Sequence, residues 1–430
     1  MRILHVVHQY PPEYIGGVEL NTQLVANGLA QLGHDVAVFY RRSAEGNGID
    51  SWREESGVQV WAAYDGIVEP TRRFLATFRD ASLLQHFQQV LQETRPDIVH
   101  IQHLMGLPVA LVEWLQQQSL PYVITLHDYW WVCANAQLLT NDTEEICDGP
   151  QLWVNCGRCA LARANKKNAL WLAPAIAPLF AYRHRLLRRI IKQAKRIIVP
   201  TAFTQQIHAR LGLVEPEQIQ VIPNGIKPHY FASHSSVKPR SEEHILRIAY
   251  VGGIARQKGV HVLVQAVTQL PPEAAHLSIY GDLNAFPDYV AQLQRVATPN
   301  IEFMGRIPND QLLAKLAEAD VLVVPSIWYE TAALVIQEAF AVGVPVIASD
   351  LGALRDRVRH EIDGLHVPPG DWRALRDALQ RLLKERSLLA RLRAGIQMND
   401  TIENQVKAVE TAYSSPKWIE NKRSLARPTD

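Results

Sequence analysis

Residues 321–349 read Val321-Leu-Val-Val-Pro-Ser-Ile-Trp-Tyr-Glu330-Thr-Ala-Ala-Leu-Val-Ile-Gln-Glu338-Ala-Phe-Ala-Val-Gly343-Val-Pro-Val-Ile-Ala-Ser349. Two apolar runs of strand length flank a turn and a segment of helical pattern, which predicts strand, turn, helix and strand. This order of elements is the repeating unit of a parallel α/β sheet. The stretch therefore predicts an α/β fold.

Two carboxylates stand in this stretch where a ligand would lie. Glu330 occupies the expected turn, and Glu338 lies further along the expected helix. In open α/β sheets ligands bind at the carboxyl ends of the strands, where this turn is expected. The free N–H groups of a helix start can hold phosphate oxygens, and carboxylate oxygens accept hydrogen bonds from hydroxyls. Together these groups suit a nucleotide sugar.

The same alternation of strand and helix patterns extends over most of the chain, whose 430 residues suit two domains. We expect strands at 3–7, 36–39, 97–101, 122–126, 196–199, 220–222, 247–251, 276–280, 301–304, 320–324 and 344–348. Helices are expected between them, for example over 18–32. The pattern predicts two Rossmann-like, doubly wound parallel sheets in tandem, with ligands in a cleft between them.

The domain boundary is expected where the composition changes. Residues 223–231 are rich in turn formers, and residues 232–244 are polar and rich in serine. We therefore expect an N-terminal domain over 1–222 and a C-terminal domain over 223–399. Residues 400–430 are candidates for a helix that joins the first domain.

Composition and charge exclude some classes of protein. Hydrophobic residues make up 47%, charged residues 20%, and the formal net charge is +1. These values suit a soluble globular protein with no general attraction to nucleic acid. The sequence shows no signal-peptide core and no uninterrupted apolar run of about 18 residues. We therefore expect a cytoplasmic location.

The two glutamates and their surroundings resemble a known family. Glu330 and Glu338 frame seven residues, follow Val-Val-Pro-Ser and precede Gly343-Val-Pro-Val-Ile. This pattern resembles the retaining glycosyltransferases of family 4 (glycosyl transferases group 1), and the resemblance covers nearly the whole chain. It implies the GT-B fold, in which two Rossmann-like domains face each other across a cleft, with the acceptor on the N-terminal domain and the nucleotide sugar on the C-terminal one.

The resemblance also implies roles for the residues of this stretch. Glu330 would lie against the transferred sugar, and Glu338 would hold the ribose hydroxyls. Backbone N–H groups would meet sugar or phosphate oxygens at Thr331, Ala332, Ala333 and Leu334.

A second candidate donor motif is Tyr250-Val-Gly-Gly-Ile-Ala-Arg-Gln-Lys258-Gly259. A strand ends in Gly252 and Gly253, and a lysine then precedes a helix, where its charge adds to the helix terminus. The resemblance implies that Lys258 neutralises the leaving diphosphate. Gly253 stands where the family often has arginine, so Arg256 is the candidate for a second cation.

Two strand-ending loops resemble those that surround the nucleobase in the family. They contain Gly281 and the pair Arg306-Ile307. Plain turns are the alternative, since glycine after a strand is common.

Candidate acceptor residues follow the strands of the N-terminal domain. Gly16, Gly17 and Glu19 lie between the first strand and the first helix, and the glycine pair resembles the family's acceptor and phosphate loop. His127 and Asp128 follow the strand at 122–126; the resemblance implies that His127 contacts the sugar in transit. Together with Glu330 and Lys258, His127 is an expected catalytic residue.

Two further histidines, His100 and His103, lie at or after the strand at 97–101. They are candidates for the acceptor pocket, with structural histidines as the alternative.

All cysteines of the chain fall within 27 residues: Cys133, Cys147, Cys156 and Cys159. Four thiols with one Cys-x2-Cys spacing suit a closed structural zinc site, whereas a disulfide is unexpected in the cytoplasm. Four unmetallated thiols are the main alternative, ahead of an iron–sulfur cluster or a redox pair. Catalysis in the family needs no metal, so no catalytic cofactor is expected.

A basic segment adjoins an apolar one. The run 169–180 is apolar and contains prolines, and cationic side chains follow it at Arg183, Arg185, Arg188, Arg189, Lys192, Lys195 and Arg196. Such a pairing suits an anionic membrane surface, here the inner face of the membrane. A solvated helix packed on the sheet edge is the alternative.

The expected activity is that of a hexosyltransferase. It would move a sugar with retention from a nucleoside diphosphate sugar to a hydroxyl of a glycan or lipid-linked acceptor, in polysaccharide or glycoconjugate biosynthesis. No Asp-x-Asp occurs in the chain, so the diphosphate is expected to be held without a divalent metal. A nucleotide-sugar epimerase on the same fold and a non-catalytic sugar-binding protein are the alternatives.

Overall fold

The computed structural model describes residues 1–44, 46, 48–64, 66, 74–226, 245–398 and 400–414. The chain forms two units, one made of Met1–Gly225 with the chain from Ile402 onward, the other of Ile226–Thr401. The boundary expected between residues 222 and 223 lies three residues before this division. The polar stretch 232–244 and most of the expected break at 223–231 lie outside the described residues.

Eight strands form the sheet of the first unit in the order β3-β4-β2-β1-β5-β6-β7-β8. The strands are β1 Arg2–Val7, β2 Asp35–Arg42, β3 Ile49–Arg53, β4 Gln59–Tyr64, β5 Ile98–Ile101, β6 Tyr122–Thr125, β7 Arg196–Val199 and β8 Ile219–Val221. All neighbours are parallel except the edge pair β3 and β4. The carboxyl ends of β1, β5 and β6 therefore meet at one edge of the sheet.

Helices cover this sheet and bury their apolar sides on it. They are α1 Gly17–Gln31, α2 Ala81–Thr94, α3 Ala110–Gln117, α4 Val154–Arg163, α5 Ala173–Gln193, α6 Ala202–Arg210 and α14 Ile402–Ser414. Helix α14, which ends the described chain, packs against α1. Its Val406, Val409 and Tyr413 share one buried cluster with Val25 and Leu29 of α1. A helix in the tail therefore belongs to the first unit.

The second unit is built on a sheet of six parallel strands in the order β11-β10-β9-β12-β13-β14. The strands are β9 Leu246–Val251, β10 Ala275–Tyr280, β11 Ile301–Gly305, β12 Val321–Val324, β13 Val346–Ser349 and β14 Gly364–Val367. The helices are α7 Val260–Val267, α8 Pro287–Val296, α9 Asn309–Ala317, α10 Leu334–Ala341, α11 Ala353–Arg357, α12 Trp372–Lys384 and α13 Arg386–Gly395. Buried valines, leucines and isoleucines from both layers form its cores.

The expected α/β class with two parallel-sheet units is confirmed. Every strand expected from the sequence is present, with its bounds shifted by a few residues at most. Three strands were not expected: β3, β4 and β14. Strand β3 has little apolar alternation because it lies at the sheet edge and only its Ile49 and Trp52 are partly buried.

Candidate functional site

The candidate donor site of the second unit centres on an ion pair between a half-buried lysine and a buried glutamate. Lys258 Nζ donates to both carboxylate oxygens of Glu330, at 2.8 and 3.0 Å. Glu330 is only 6% exposed. Two of the expected catalytic residues are thus in direct contact, although 72 residues separate them in the chain.

Two more side chains hold the Glu330 carboxylate. The hydroxyl of Ser326 donates to Oε1 at 2.7 Å, and the indole N–H of Trp328 donates to the same oxygen at 2.9 Å. The Trp328 ring also lies 5.1 Å from Lys258 Nζ, within the range of a cation–π contact. Trp328 therefore contacts both members of the ion pair.

The loops that carry the pair are joined by a close backbone approach. Lys258 ends a short 3-10 turn, and Gly259 follows with a φ of 71°. A Cβ at Gly259 would lie 1.8 Å from the carbonyl oxygen of Pro325, which precedes Ser326. Any larger residue would separate the lysine loop from the glutamate loop.

The Glu330 carboxyl is held in its ionised form. Burial by itself raises its pKa, but the Lys258 charge and the hydrogen bonds from Lys258, Ser326 and Trp328 outweigh burial and lower the pKa below its ordinary value. The site therefore presents a carboxylate and an ammonium side by side.

Helix α10 begins directly after this loop. Thr331 is half-buried, Ala332 is buried, and Ala333 caps the helix with a left-handed φ of 46°. Leu334 is the first helical residue. The N–H of Ile336 donates to the carbonyl of Ala333 at 2.9 Å. The N–H groups that precede it at the helix start lie outside the intrahelical ladder and are suited to phosphate or hydroxyl oxygens.

Glu338 lies on the same helix and differs from Glu330 in its surroundings. It is half-buried, and burial raises the pKa of its carboxyl to about 7. No lysine or arginine contributes to this shift. A ligand that donates hydrogen bonds to this carboxylate would favour its ionised form.

The other expected donor residues lie at the same edge of the second sheet. Gly252 donates its N–H to the carbonyl of Tyr280, and Gly281 donates to the carbonyl of Gly305, at 3.0 and 2.9 Å. Gly253 and Arg306 are exposed, and Ile307 packs partly on the core. These loops follow the neighbouring strands β9, β10 and β11.

Lys258 contacts Glu330, whereas Arg256 lies at a cavity on the helices α7 and α8. Arg256 lines this cavity together with His261 of α7 and Tyr289 of α8, two side chains that are hydrogen-bonded to each other at 2.8 Å. The role of second phosphate cation therefore stays a prediction for Arg256.

The candidate acceptor residues of the first unit form two carboxylate–imidazole pairs. His8 contacts Glu19 at 3.3 Å, and His103 contacts Asp128 at 3.0 Å. The rings of His8 and His103 lie 4.4 Å apart. Glu19 belongs to the first turn of α1, which begins at Gly17 after the cap residue Gly16.

The two carboxylates of these pairs differ in their pKa. Burial raises the pKa of Glu19. Burial opposes ionisation of Asp128 as well, but the His103 charge, its hydrogen bond and the N–H of Trp130 lower the Asp128 pKa. Asp128 therefore stays ionised to lower pH than Glu19 does.

His127 and His100 belong to a neighbouring buried network. Gln102 joins them: its Oε1 lies 2.7 Å from His127 Nε2, and its Nε2 lies 3.3 Å from His100 Nδ1. His5 of β1 and Tyr413 of α14 complete the network. His100 is 1% exposed, so its contacts are those of a structural histidine.

Sequence reasoning did not single out Ser326, Trp328, His5, His8, Gln102 or Tyr413. His8 and Gln102 follow β1 and β5, which are adjacent strands, so their position at one sheet edge was a usable signal. Tyr413 carried no such signal, because it reaches the network from a helix more than 300 residues away in the chain.

The four cysteines are free thiols in the loop after His127 and in α4. Burial, with the other three cysteines, raises the pKa of Cys156 to about 12. In the part of the chain that the structure describes, no three or more His, Cys, Asp or Glu side chains are grouped to hold a metal ion. The zinc site stays a prediction.

The basic segment proves to be only partly at the surface. Arg183 is buried, donates to the Trp130 carbonyl at 2.6 Å and lies 4.5 Å from the Trp130 ring. Lys195 donates to the carbonyl of Tyr413 at 2.6 Å. The expectation that both belong to a solvent-facing cationic patch is wrong for Arg183, which faces the core side of α5.

The exposed side of α5 and the turn before it forms what we call the α5 strip. It comprises Trp171, Leu179, Tyr182, Arg185, Arg188 and Lys192. The helices that the structure describes include none with the length and apolar character needed to cross a membrane.

Comparison with known proteins identifies the family to which the chain belongs. Residues 15–230 match the family model described as Glycosyltransferase Family 4, and residues 246–385 match the model of Glycosyl transferases group 1. An uncharacterized glycosyltransferase of Methanocaldococcus jannaschii is 25% identical over 400 residues, which cover 90% of each chain.

Solved structures share the fold. Sucrose-phosphate synthase from Thermosynechococcus elongatus superimposes with a TM-score of 0.72 at 20% identity, covering 96% of this chain and 98% of that one. Anabaena HepE in complex with UDP-glucose superimposes with a TM-score of 0.67 at 17% identity, covering 96% and 99%. At these identities the likeness concerns the GT-B fold.

Proposed function

The chain belongs to glycosyltransferase family 4, and from this premise we propose that it transfers a sugar, with retention, from a nucleoside diphosphate sugar to a hydroxyl of a glycan or lipid-linked acceptor. The observation that carries the proposal is the Lys258–Glu330 pair at the start of α10. It places one cation, one carboxylate and the N-terminus of a helix within one loop system.

A nucleoside diphosphate sugar complements this arrangement in charge and in hydrogen-bonding groups. The diphosphate would take the ammonium of Lys258 and the N–H groups that open α10. The transferred sugar would lie against Glu330, and the ribose would donate its hydroxyl hydrogens to Glu338. Lysine and main-chain dipoles would then stabilise the leaving diphosphate without a divalent ion. HepE, a structural neighbour, is known with UDP-glucose bound.

The Glu330 carboxylate has a distinct part in this proposal. A donor diphosphate that recruits Lys258 leaves a buried carboxylate less compensated than before. A positive charge that develops on the sugar in the transition state would restore the balance. Glu330 would thus stabilise the transition state more than the bound substrate, which is the condition for faster chemistry.

The acceptor hydroxyl would meet the first unit. The pairs His8–Glu19 and His103–Asp128 supply carboxylate oxygens for hydroxyl groups, and His127 supplies an imidazole. Two carboxylates in one cluster disfavour an anionic group at this point of the acceptor. We propose a neutral, hydroxylated end of the acceptor here.

The proposal is tested by donor binding and transfer. Thermal shifts with a panel of UDP-, GDP-, ADP- and dTDP-sugars should show stabilisation of the wild type by one nucleotide class. The variant Lys258→Gln should lose most of that shift, whereas Lys384→Gln, an exposed lysine of the same unit, should keep it. Absence of a shift with every donor would refute the proposal.

Transfer is then measured with the donor that binds and with lipid-linked or soluble glycans as acceptors. A product that keeps the anomeric configuration of the donor supports the proposal, and activity in the presence of EDTA supports independence from metal. Release of an epimer from donor alone would instead favour an epimerase. Binding without turnover would favour a non-catalytic protein.

The α5 strip supports a second part of the proposal, namely contact with an anionic membrane that carries the acceptor. Trp171 is 76% and Tyr182 is 57% exposed, and Arg185, Arg188 and Lys192 are exposed on the same helix. Aromatic side chains beside cationic ones suit the interface of an anionic bilayer.

A further inference from the structure

Three buried histidines of the first unit share a single glutamine. Gln102, which follows β5, has its Oε1 at 2.7 Å from His127 Nε2. Its Nε2 lies 3.0 Å from His5 Nδ1 and 3.3 Å from His100 Nδ1. All four side chains are buried, so each of these hydrogen bonds is costly to lose.

We propose that Gln102 is a positioning residue that holds His127 in its neutral form with the proton on Nε2, so that Nδ1 of His127 accepts a hydrogen bond from a hydroxyl of the sugar. The identity of this ligand rests on the proposed function, whereas the claim about the proton does not.

The orientation of the glutamine amide decides the tautomer. An amide has one accepting end and one donating end. Its NH2 group faces Nδ1 of both His5 and His100, so its carbonyl oxygen faces His127. An imidazole nitrogen next to a carbonyl oxygen must carry the proton to form a hydrogen bond. Nε2 of His127 is therefore the protonated nitrogen, and Nδ1 keeps its lone pair.

The far end of the network reaches the returning helix. His100 Nε2 lies 2.7 Å from the hydroxyl of Thr125, and His100 Nδ1 lies 2.7 Å from the hydroxyl of Tyr413. Tyr413 belongs to α14, so this helix closes the chain of hydrogen-bonded side chains that ends at His127.

The histidines of this network are neutral at physiological pH. Burial lowers the pKa of both His5 and His127 to about 3. For His127 the neighbouring His103 acts in the same direction, and Asp128 opposes it. Burial lowers the pKa of His100 well below its ordinary value. His127 is therefore suited to accept a hydrogen bond rather than to donate a proton to the reaction.

Nδ1 of His127 is available for this purpose. Within the described ranges, His127 makes one hydrogen bond through its ring, and that bond uses Nε2. A hydroxyl group of the sugar is the complementary partner, since it can donate to an imidazole lone pair. A ligand that lacks this hydroxyl would leave Nδ1 without a partner.

The tautomer is measured directly by NMR of protein labelled with 15N in its histidines, because protonated and unprotonated ring nitrogens resonate far apart. Loss of signals in His127→Asn identifies the His127 resonances. We expect Nε2 protonated and Nδ1 unprotonated from pH 6 to pH 8. In Gln102→Met, which keeps the side-chain length and removes the amide, we expect a mixture of tautomers.

A matched control is available in the same unit. Gln405 is buried to a similar degree and is hydrogen-bonded to Asn21 and to the N–H of Gly225, with no histidine among these partners. Gln405→Met should leave the His127 signals as they are. If Gln102→Met does not fold, the wild-type spectrum still decides the tautomer, and Tyr413→Phe tests the outer end of the network.

Kinetics provide the second measurement. Gln102→Met should lower kcat about tenfold, the value of one lost hydrogen bond of ordinary strength, and change the donor KM less than about threefold. A proton on Nδ1 in the wild type, or unchanged signals and rates in Gln102→Met, would overturn the proposal. If the wild type turns over no nucleotide sugar, the proposed function fails, while the spectrum still decides the role of Gln102.

Discussion

At the scale of single residues, the candidate donor site is organised around compensation of charge. Lys258 and Glu330 neutralise each other, and Ser326 and Trp328 share the same carboxylate oxygen. Removing Lys258 leaves the charge of the buried Glu330 uncompensated, which is costly because that carboxylate is largely shielded from water. Substitutions that keep the charges and change only a neighbouring donor are therefore the more informative ones.

Trp328→Phe is such a substitution. It removes the indole N–H that donates to Glu330 and keeps an aromatic ring near Lys258. Because one of the groups that lower the Glu330 pKa is lost, that pKa should rise. The acidic limb of the kcat/KM–pH profile should then move to higher pH, and kcat should fall about fivefold.

The control for this variant is Trp372→Phe, since Trp372 is also half-buried and lies under arginine side chains of the same unit. Its profile should match that of the wild type. An unchanged acidic limb in Trp328→Phe would show that the indole N–H does not act on Glu330.

Glu338 gives a second prediction, because its pKa is raised whereas that of Glu330 is lowered. Its pKa is about 7 in the folded protein, against an ordinary value of 4.5. Between these two values the unfolded chain has lost the proton and the folded protein still holds it, so the stability contributed by this group falls as the pH rises. Glu338→Gln removes this pH-dependent loss. The substitution should therefore be more stabilising, relative to the wild type, at pH 8 than at pH 5.

The gain at pH 8 should be on the order of 1–3 kcal/mol, because one pKa unit corresponds to about 1.4 kcal/mol and the carboxyl retains some solvent contact. Thermal unfolding of both proteins at the two pH values measures it. Glu338→Gln should also weaken binding of the nucleotide sugar, most strongly at pH 8. If the difference in melting temperature between Glu338→Gln and the wild type is the same at pH 5 and at pH 8, the raised pKa of Glu338 is contradicted.

The sequence predicted candidate donor residues and did not predict how they contact one another. Lys258 and Glu330 were recognisable from their motifs, whereas their ion pair depends on the approach of Gly259 to Pro325. For Arg183 the sequence suggested the wrong environment. Its sequence neighbours are exposed cations, and only the packing of α5 on Trp130 shows that this guanidinium is buried.

At the scale of elements, most of the parallel strands were predictable because they are buried and apolar over much of their length. Strand β14 is short and contains His366, and β3 is mostly exposed, so neither has such a pattern. The sequence offered residues 400–430 only as a candidate helix of the first domain and did not predict its packing against α1. Its physical basis is a close contact between Gly28 of α1 and Val406 of α14.

Gly28→Ala tests this helix contact. A Cβ at Gly28 would lie 2.5 Å from Cγ2 of Val406. In an exposed helix this change would stabilise by about 1 kcal/mol, but crowding in a packed interface costs about 1–3 kcal/mol. We therefore expect net destabilisation of the protein in urea unfolding.

The double variant separates the two effects. In a Val406→Ala background the space for the new methyl group is present, so Gly28→Ala should become neutral or stabilising. The coupling energy between the two positions should be at least about 1 kcal/mol. Additive effects of the two substitutions would mean that α1 and α14 do not approach each other at Gly28.

At the scale of the whole molecule, a formal net charge of +1 conceals an uneven surface. The α5 strip sets exposed aromatic and aliphatic side chains beside Arg185, Arg188 and Lys192. Each such cation contributes about 1 kcal/mol near an anionic bilayer, and the contribution falls with salt. Net charge alone would not predict membrane binding, whereas the local arrangement does.

The final prediction concerns vesicle binding by the intact protein. It should co-sediment with phosphatidylcholine vesicles that contain phosphatidylglycerol and release them at high salt, while pure phosphatidylcholine should bind weakly. Reversal of three charges, at Arg185, Arg188 and Lys192 to glutamate, should abolish binding, and Trp171→Ser should weaken it at every salt concentration. Reversal of Arg295 and Lys384, two exposed cations of the second unit, should have little effect. If this control weakens binding as much as the strip variant does, the attraction is general rather than local, and α5 is a solvated helix.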